Sequence, residues 1–272
     1  MIAAIVLVLI VVGSVLFHLF SPWWWTPIAS NWQYIDDTIN LTFVITGVVF
    51  AAVILFVAYC VFAFRHVEGR KAAYEPENTK LEWWLTIITG VGVAALLIPG
   101  LFVWRQFISV PPGADEVEVV GLQWRWMYRL PGKDGKMGTS DARHVSGDNP
   151  LGINPDDPNG KDDLIVDGDD LHLPLGRPVK LLQRSIDVIH NFYVPEFRAK
   201  MDFMPGLVTY VWLTPTRTGT FDALCAELCG TGHYAMRGKV VVDTTEDYEK
   251  WLKGLTTFAQ TMSKEQKLTQ GR

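Results

Sequence analysis

The sequence predicts a membrane-anchored protein in which N-terminal transmembrane helices, a two-helix hairpin plus an extra N-terminal helix, precede an all-β sandwich or barrel. Three observations lead there. Residues 2–17, 41–64 and 85–104 carry no Asp, Glu, Lys or Arg, and the latter two are long enough to cross a hydrocarbon core of about 30 Å. Beyond Arg105 the pattern changes to short β-like runs punctuated by Pro and Gly. With 49% hydrophobic residues and 11 Trp the chain is no ordinary soluble protein; the apolar runs make a lipid bilayer its partner, and a net charge of −5 gives no sign of nucleic acid as one.

The first run, extended by Leu19 and Phe20, reads as a third span or as a secretory signal over residues 1–21. It lacks a positive n-region, and its best small-residue exit, Ala29-Ser30, follows a Trp-rich stretch unlike a cleavage site, which favours retention. The hairpin is expected over 40–106. Arg65, Arg70, Lys71 and Lys80 lie between its helices, whereas 22–39 contain no Lys or Arg. The positive-inside rule therefore places 65–83 in the cytoplasm of a bacterial inner membrane and the C-terminal domain outside it. Trp23, Trp24, Trp25 and Trp32 on one side and Trp83 and Trp84 on the other read as interfacial anchors.

A β domain is expected over 107–257. Leu122, Trp124, Trp126 and Tyr128 alternate with Gln123, Arg125, Met127 and Arg129, which predicts one strand with an aromatic face. Val117 and Val119 in the opposite phase predict a β-bulge at Gly121. Further strands are expected at 179–188, 207–214 and 238–242, then a short helix at 247–253 and a polar tail over 258–272.

The chemistry concentrates in Cys225-Ala-Glu227-Leu-Cys229-Gly-Thr-Gly-His233-Tyr-Ala-Met236, with a second imidazole upstream in Ser185-Ile-Asp187-Val-Ile-His190. Two Cys and two His satisfy a closed zinc site. Zinc leaves Met236 unexplained, whereas thiolate, imidazole and thioether together are what copper selects. A single blue-copper ion needs one Cys, so a second thiolate implies a bridged pair of coppers. Oxidation of Cys225 and Cys229 to each other is the alternative in an oxidising compartment.

The run Cys225-x-Glu-x-Cys229-x-x-x-His233-x-x-Met236, the segment Ser-x-Asp-Val-x-His190 and Gly121-Leu-Gln-Trp124-Arg-Trp126 resemble subunit II of haem–copper cytochrome c oxidases over most of residues 40–255. That resemblance implies a cupredoxin-like Greek-key β-barrel carrying the binuclear copper centre called CuA. Its ligands would be His190, Cys225, Cys229, His233 and Met236 with the backbone carbonyl of Glu227. The Glu227 carboxylate would reach a magnesium ion shared with subunit I. Trp124 would be the surface aromatic that takes the electron from cytochrome c, although an aromatic strand face is usually core.

By the same resemblance Asp187 is a docking residue for the donor, and Glu82 marks the mouth of a proton pathway into subunit I. A helix-dipole carboxylate is the equal alternative for Glu82. Nine Asp between residues 141 and 170 make an acidic loop, read equally as solvated or as a steering face for a basic donor. The chain departs from the family in its third span, in the longer stretch from Pro131 to Asp163, and in Leu85, where a Trp often follows the Glu.

The implied function is electron uptake for a respiratory oxidase that works with subunit I and subunit III. The chain has no Cys-x-x-Cys-His, so haem belongs to the partner subunit. The alternatives are the copper subunit of a nitric oxide reductase and a membrane-tethered copper- or zinc-binding protein.

Overall fold

In a computed structural model, the uncharged runs are helices: α1 (Ile2–Phe20), α2 (Gln33–Ala63) and α3 (Thr79–Ile108). The structure describes residues 1–21, 26–71 and 74–270, without the side chains of 265–270. Trp23, Trp24 and Trp25 lie outside the described residues. All three helices are long and apolar enough to cross a membrane. With 31 residues, α2 extends about 46 Å, so its polar first turns stand clear of the hydrocarbon. Asn78 accepts the Leu81 N–H at 3.1 Å and starts α3. Trp83 and Trp84 are exposed in its first turns.

The chain divides into a helical unit, within 1–25 and 34–105, and a second unit that joins 26–33 to everything from Gln106 onward. This corrects the reading of Trp32. Instead of facing lipid it is 1% exposed, packs edge-on against Trp212, and donates its indole N–H to the Trp212 carbonyl at 2.9 Å. Ala29 and Asn31 donate backbone N–H groups to Glu196 O and Thr214 O, so the segment is stitched into the β domain. Local composition hid this, because an apolar Trp-rich stretch beside a span looks the same whether it faces lipid or a protein core.

The β domain has two sheets. The first contains β1 (Asp115–Leu122), β2 (Arg125–Leu130), β3 (Leu164–Asp167), β5 (Val179–Ser185), β8 (Thr209–Leu213) and β11 (Thr256–Thr257), in the order β11-β3-β2-β1-β5-β8. The second contains β4 (Leu171–Pro174), β6 (His190–Tyr193), β7 (Asp202–Phe203), β9 (Gly219–Cys225) and β10 (Arg237–Asp243), in the order β4-β10-β9-β6-β7. Parallel pairs β1·β5 and β4·β10 among antiparallel neighbours give the cupredoxin-like Greek key. Trp126 joins the sheets, edge-on to Phe192 and Phe203 at 5.0 and 5.5 Å. The helix expected at 247–253 is α4 (Thr245–Gly254), capped by Thr244.

Two expectations for the strands fail. The strand predicted through Trp124 is a hairpin: β1 and β2 pair with Leu122 opposite Arg125, and the chain reverses at Gln123-Trp124. Nor is there a bulge at Gly121, which pairs in register with Trp126 and Ser185. The polar tail is likewise a helix, α5 (Phe258–Gln270), whose Phe258 is buried with Val120, Met127, Leu151 and Ile153 while Met262 packs alongside. Phe258 and Met262, four residues apart, are enough to seat one face of an otherwise polar helix.

The acidic stretch is folded by its own carboxylates. Asp157 accepts from Thr139 N and Oγ1, and Asp162 accepts from Lys133 N at 2.6 Å. Asp167 pairs with Arg125 at 3.0 Å. Beneath it Glu118, Arg129 and Asp163 are buried together, with Arg129 3.0 Å from Glu118 and 3.4 Å from Asp163. Arg184 pairs with Glu118 at 3.0 Å and also donates to Leu151 O.

Candidate metal centre

The site is assembled by strand pairing. His190 opens β6, Cys225 closes β9, and Phe192 is registered against Cys225, so the upstream imidazole faces the first thiol. The loop from Cys225 to Met236 is closed at its base by Cys225 N–H donating to Met236 O at 3.1 Å. Ala226 N–H donates to Asn191 O at 2.9 Å and ties the loop to β6. A single helical turn at His233–Ala235 swings Met236 back under the thiols. Gly121 is required beside this arrangement: a Cβ there would lie 3.0 Å from His190 Cδ2.

The donors converge as two matched halves. Cys225 Sγ lies 3.9 Å from His190 Nδ1 and 3.2 Å from Glu227 O. Cys229 Sγ lies 3.6 Å from His233 Nδ1 and 3.8 Å from Met236 Sδ. The two sulfurs are 3.7 Å apart, and both are free thiols. Cys225, Cys229, Met236 and His190 are buried, and His233 is half-buried. The donor set fits a pair of soft metal ions, since each half supplies one sulfur, one imidazole and one weaker donor. Burial and then the neighbouring Cys225 push the Cys229 thiol up to about 11, so loading the site with metal must release protons.

Asp187 is exposed, as a docking residue would be, and its carboxylate is also engaged by the site. Its Oδ1 is 2.7 Å from His190 Nε2, its Oδ2 accepts the Gln123 backbone N–H at 2.6 Å, and Oδ1 also accepts from Val188 N. Burial would raise its pKa, yet those bonds hold the carboxyl below the usual range. A carboxylate so engaged fixes the ring and tautomer of a metal-ligating imidazole and leaves Nδ1 aimed at the metal. Replacing Asp187 with Asn is expected to weaken metal retention by roughly 10–100-fold, read by chelator competition. Unchanged retention combined with a raised KM for the donor would restore the docking role.

Trp124 stands at the hairpin tip, 41% exposed, with its indole N–H donating to Cys229 O at 3.1 Å. It is thus both at the surface and bonded to the residue that carries a candidate ligand. The Glu227 side chain is exposed while its carbonyl points at Cys225 Sγ. Glu82 lies exposed in the first turn of α3, in the helical unit, and its carbonyl takes the Thr86 hydroxyl. Sequence reasoning missed Gln123, whose side chain also donates to Cys229 O, and Trp126, whose ring packs edge-on against His190 at 6.1 Å. Both sit inside the Gly121–Trp126 motif, which was the available signal.

Comparison with known proteins places the chain among relatives. Residues 116–245 match the family model described as cytochrome c oxidase subunit II, periplasmic domain. A relative from Bradyrhizobium diazoefficiens, the alternative cytochrome c oxidase subunit 2, is 67% identical over 95% of this chain and 94% of its own. Cytochrome c oxidase subunit 2 of Cereibacter sphaeroides is 29% identical over 84% of this chain and 77% of its own. Among solved structures, the periplasmic domain of subunit II of cytochrome oxidase from Bradyrhizobium japonicum covers 54% of this chain and 96% of its own, at 25% identity and a TM-score of 0.40.

Proposed function

The chain belongs to the cytochrome c oxidase subunit II family, and from that membership we propose that it is the electron-uptake subunit of a respiratory haem–copper oxidase, receiving electrons from cytochrome c at a binuclear copper centre and passing them to haem in subunit I. It is a membrane-anchored oxidoreductase subunit with its C-terminal domain outside. The observation that carries the reading is the pairing of Cys225 with His190 and Glu227 O, and of Cys229 with His233 and Met236, in one buried cluster.

His190, Cys225, Glu227 O, Cys229, His233 and Met236 would hold the copper pair. Bound there, it supplies a one-electron relay. The chain's contribution is rigidity. The closed base of the loop and the Asp187–His190 bond keep the donors in place, so little nuclear motion accompanies a change of charge. Trp124 offers an exposed π face to the donor protein and a hydrogen bond to Cys229 behind it. The exposed Glu227 carboxylate would bind magnesium together with subunit I, and Glu82 would collect protons at the cytoplasmic end of α3. Asp187, exposed in the turn before His190, would also face the donor. Subunit III completes the expected assembly. The 67% identical relative is named a cytochrome c oxidase, which favours oxygen over nitric oxide as terminal acceptor.

Metal analysis and paramagnetic spectroscopy of the copper-loaded full chain test this. Two coppers sharing one unpaired electron are expected, and a single zinc with no copper uptake would end the reading. The full chain is the right sample because 26–33 is part of the β domain. Replacing Trp124 with Phe removes the indole N–H and is expected to slow electron uptake by about 10-fold or more with the copper spectrum intact. Normal turnover with cytochrome c would remove Trp124 from the path.

A further inference from the structure

We infer that Gln123 is a positioning residue that clamps the Trp124 indole onto the carbonyl of Cys229, an inference that rests on the electron-uptake reading above. Cys229 O accepts two N–H groups, Gln123 Nε2 at 2.9 Å and Trp124 Nε1 at 3.1 Å, which together fill its two lone pairs. The Gln123 backbone N–H donates to Asp187 Oδ2 at 2.6 Å, and the other Asp187 oxygen meets His190 Nε2. One residue at an exposed hairpin tip is therefore bonded toward both halves of the centre.

The indole is held from its other face as well. A Cβ built on Gly232 would fall 2.3 Å from Trp124 Cδ2 and 2.6 Å from Cγ, so the ring lies flat on a backbone with no side chain. An exposed glutamine that served only as a contact for a partner would be free to point its amide at solvent. Here the side-chain amide and the backbone N–H both turn inward. Without the side chain, Trp124 keeps one hydrogen bond on a two-residue turn, and small displacements at a reacting geometry cost large factors in rate.

The experiment uses the full chain in its oxidase complex with Gln123→Leu, and Gly232→Ala as a second variant that displaces the indole while leaving Gln123 in place. The expected result is a kcat for cytochrome c oxidation lowered about tenfold with KM unchanged and the copper spectrum intact. A second readout needs no metal. With 5-fluorotryptophan incorporated, the 19F resonance assigned through Trp124→Phe should shift or broaden in both variants of the metal-free chain.

A raised, salt-dependent KM at unchanged kcat would make Gln123 a docking contact and overturn the clamp. So would an unmoved Trp124 resonance in Gln123→Leu. Failure of the underlying reading looks different: Trp124→Phe itself would turn over normally, which removes the electron-uptake role and the clamp's purpose together.

Discussion

Replacing Cys225 with Ser is expected to convert the centre into a single-metal site, and replacing Cys229 with Ser to remove most copper binding. A serine hydroxyl does not ionise near neutral pH, so either change deletes one thiolate of the proposed bridge. The two losses differ because the donors are unevenly shared. Without Cys225, Cys229 Sγ still has His233 Nδ1 at 3.6 Å and Met236 Sδ at 3.8 Å, and the metal-binding atoms of His190, Cys225 and Cys229 all lie within 4.8 Å of one another. One Cys, two His and a Met remain in either variant, but only Cys229 has the thioether in contact, which completes the blue-copper set. Without Cys229, Cys225 keeps His190 at 3.9 Å and a backbone oxygen at 3.2 Å, while the thioether is left next to a hydroxyl. That half-site is harder and suits zinc better than copper. Copper per chain and the paramagnetic spectrum of each variant check this, and turnover with cytochrome c should be lost in both. A Cys225→Ser protein that keeps two coppers and an unaltered spectrum would show that the thiolates do not bridge.

The donor set was legible because five of its six residues fall within a dozen positions and because residue type alone separates soft from hard ligands. Spans and orientation were legible for the same local reason: missing charge and asymmetric Lys and Arg are properties of short windows. What failed depended on distant partners. The alternation through Leu122, Trp124 and Tyr128 continues unbroken across a turn, so the hairpin that exposes Trp124 left no mark in the pattern. Asp187 is a surface acid as read, but its bonds to His190 Nε2 and the Gln123 N–H come from a tight turn that the sequence did not announce. Trp32 takes its place from Trp212, 180 residues away. The Asp-rich stretch left solvation and a steering face equally open, because acceptors announce themselves in sequence and their donors do not. Asp162 finds Lys133 N, and Asp163 finds Gly138 N at 3.0 Å.

Replacing Arg129 with Met is expected to bring the β domain close to unfolding at neutral pH. Arg129 is buried between Glu118, also buried, and Asp163, which is 0% exposed. Its guanidinium also donates to Gly138 O at 2.9 Å and holds the start of the acidic stretch. Removing one member of a buried ion cluster typically costs about 3–5 kcal/mol, because the remaining charges stay buried without compensation. Arg184 still serves Glu118 at 3.0 Å, so the loss falls mainly on Asp163, which must take up a proton to stay buried. Against a total stability of roughly 5–15 kcal/mol the loss is severe, and it should lower the melting midpoint by about 10 °C.

The same site sets a pH dependence whose sign is unusual for a carboxylate. Burial raises the Asp163 carboxyl from 3.8 to about 7, with Arg129 opposing the rise. The folded domain therefore binds a proton in that window which the unfolded chain has already released. The stability Asp163 contributes is fully present below 3.8 and is lost as pH rises through about 7. Removing Arg129 raises the carboxyl further, so Arg129→Met should recover part of its loss when moved from pH 8 to pH 5. Asp163→Asn should flatten the wild-type slope over the same interval, read by thermal unfolding of the detergent-solubilised full chain. An Arg129→Met protein that melts like wild type at pH 8 would mean that Asp163 is already neutral there. Arg129 would then add nothing net to the stability of the fold.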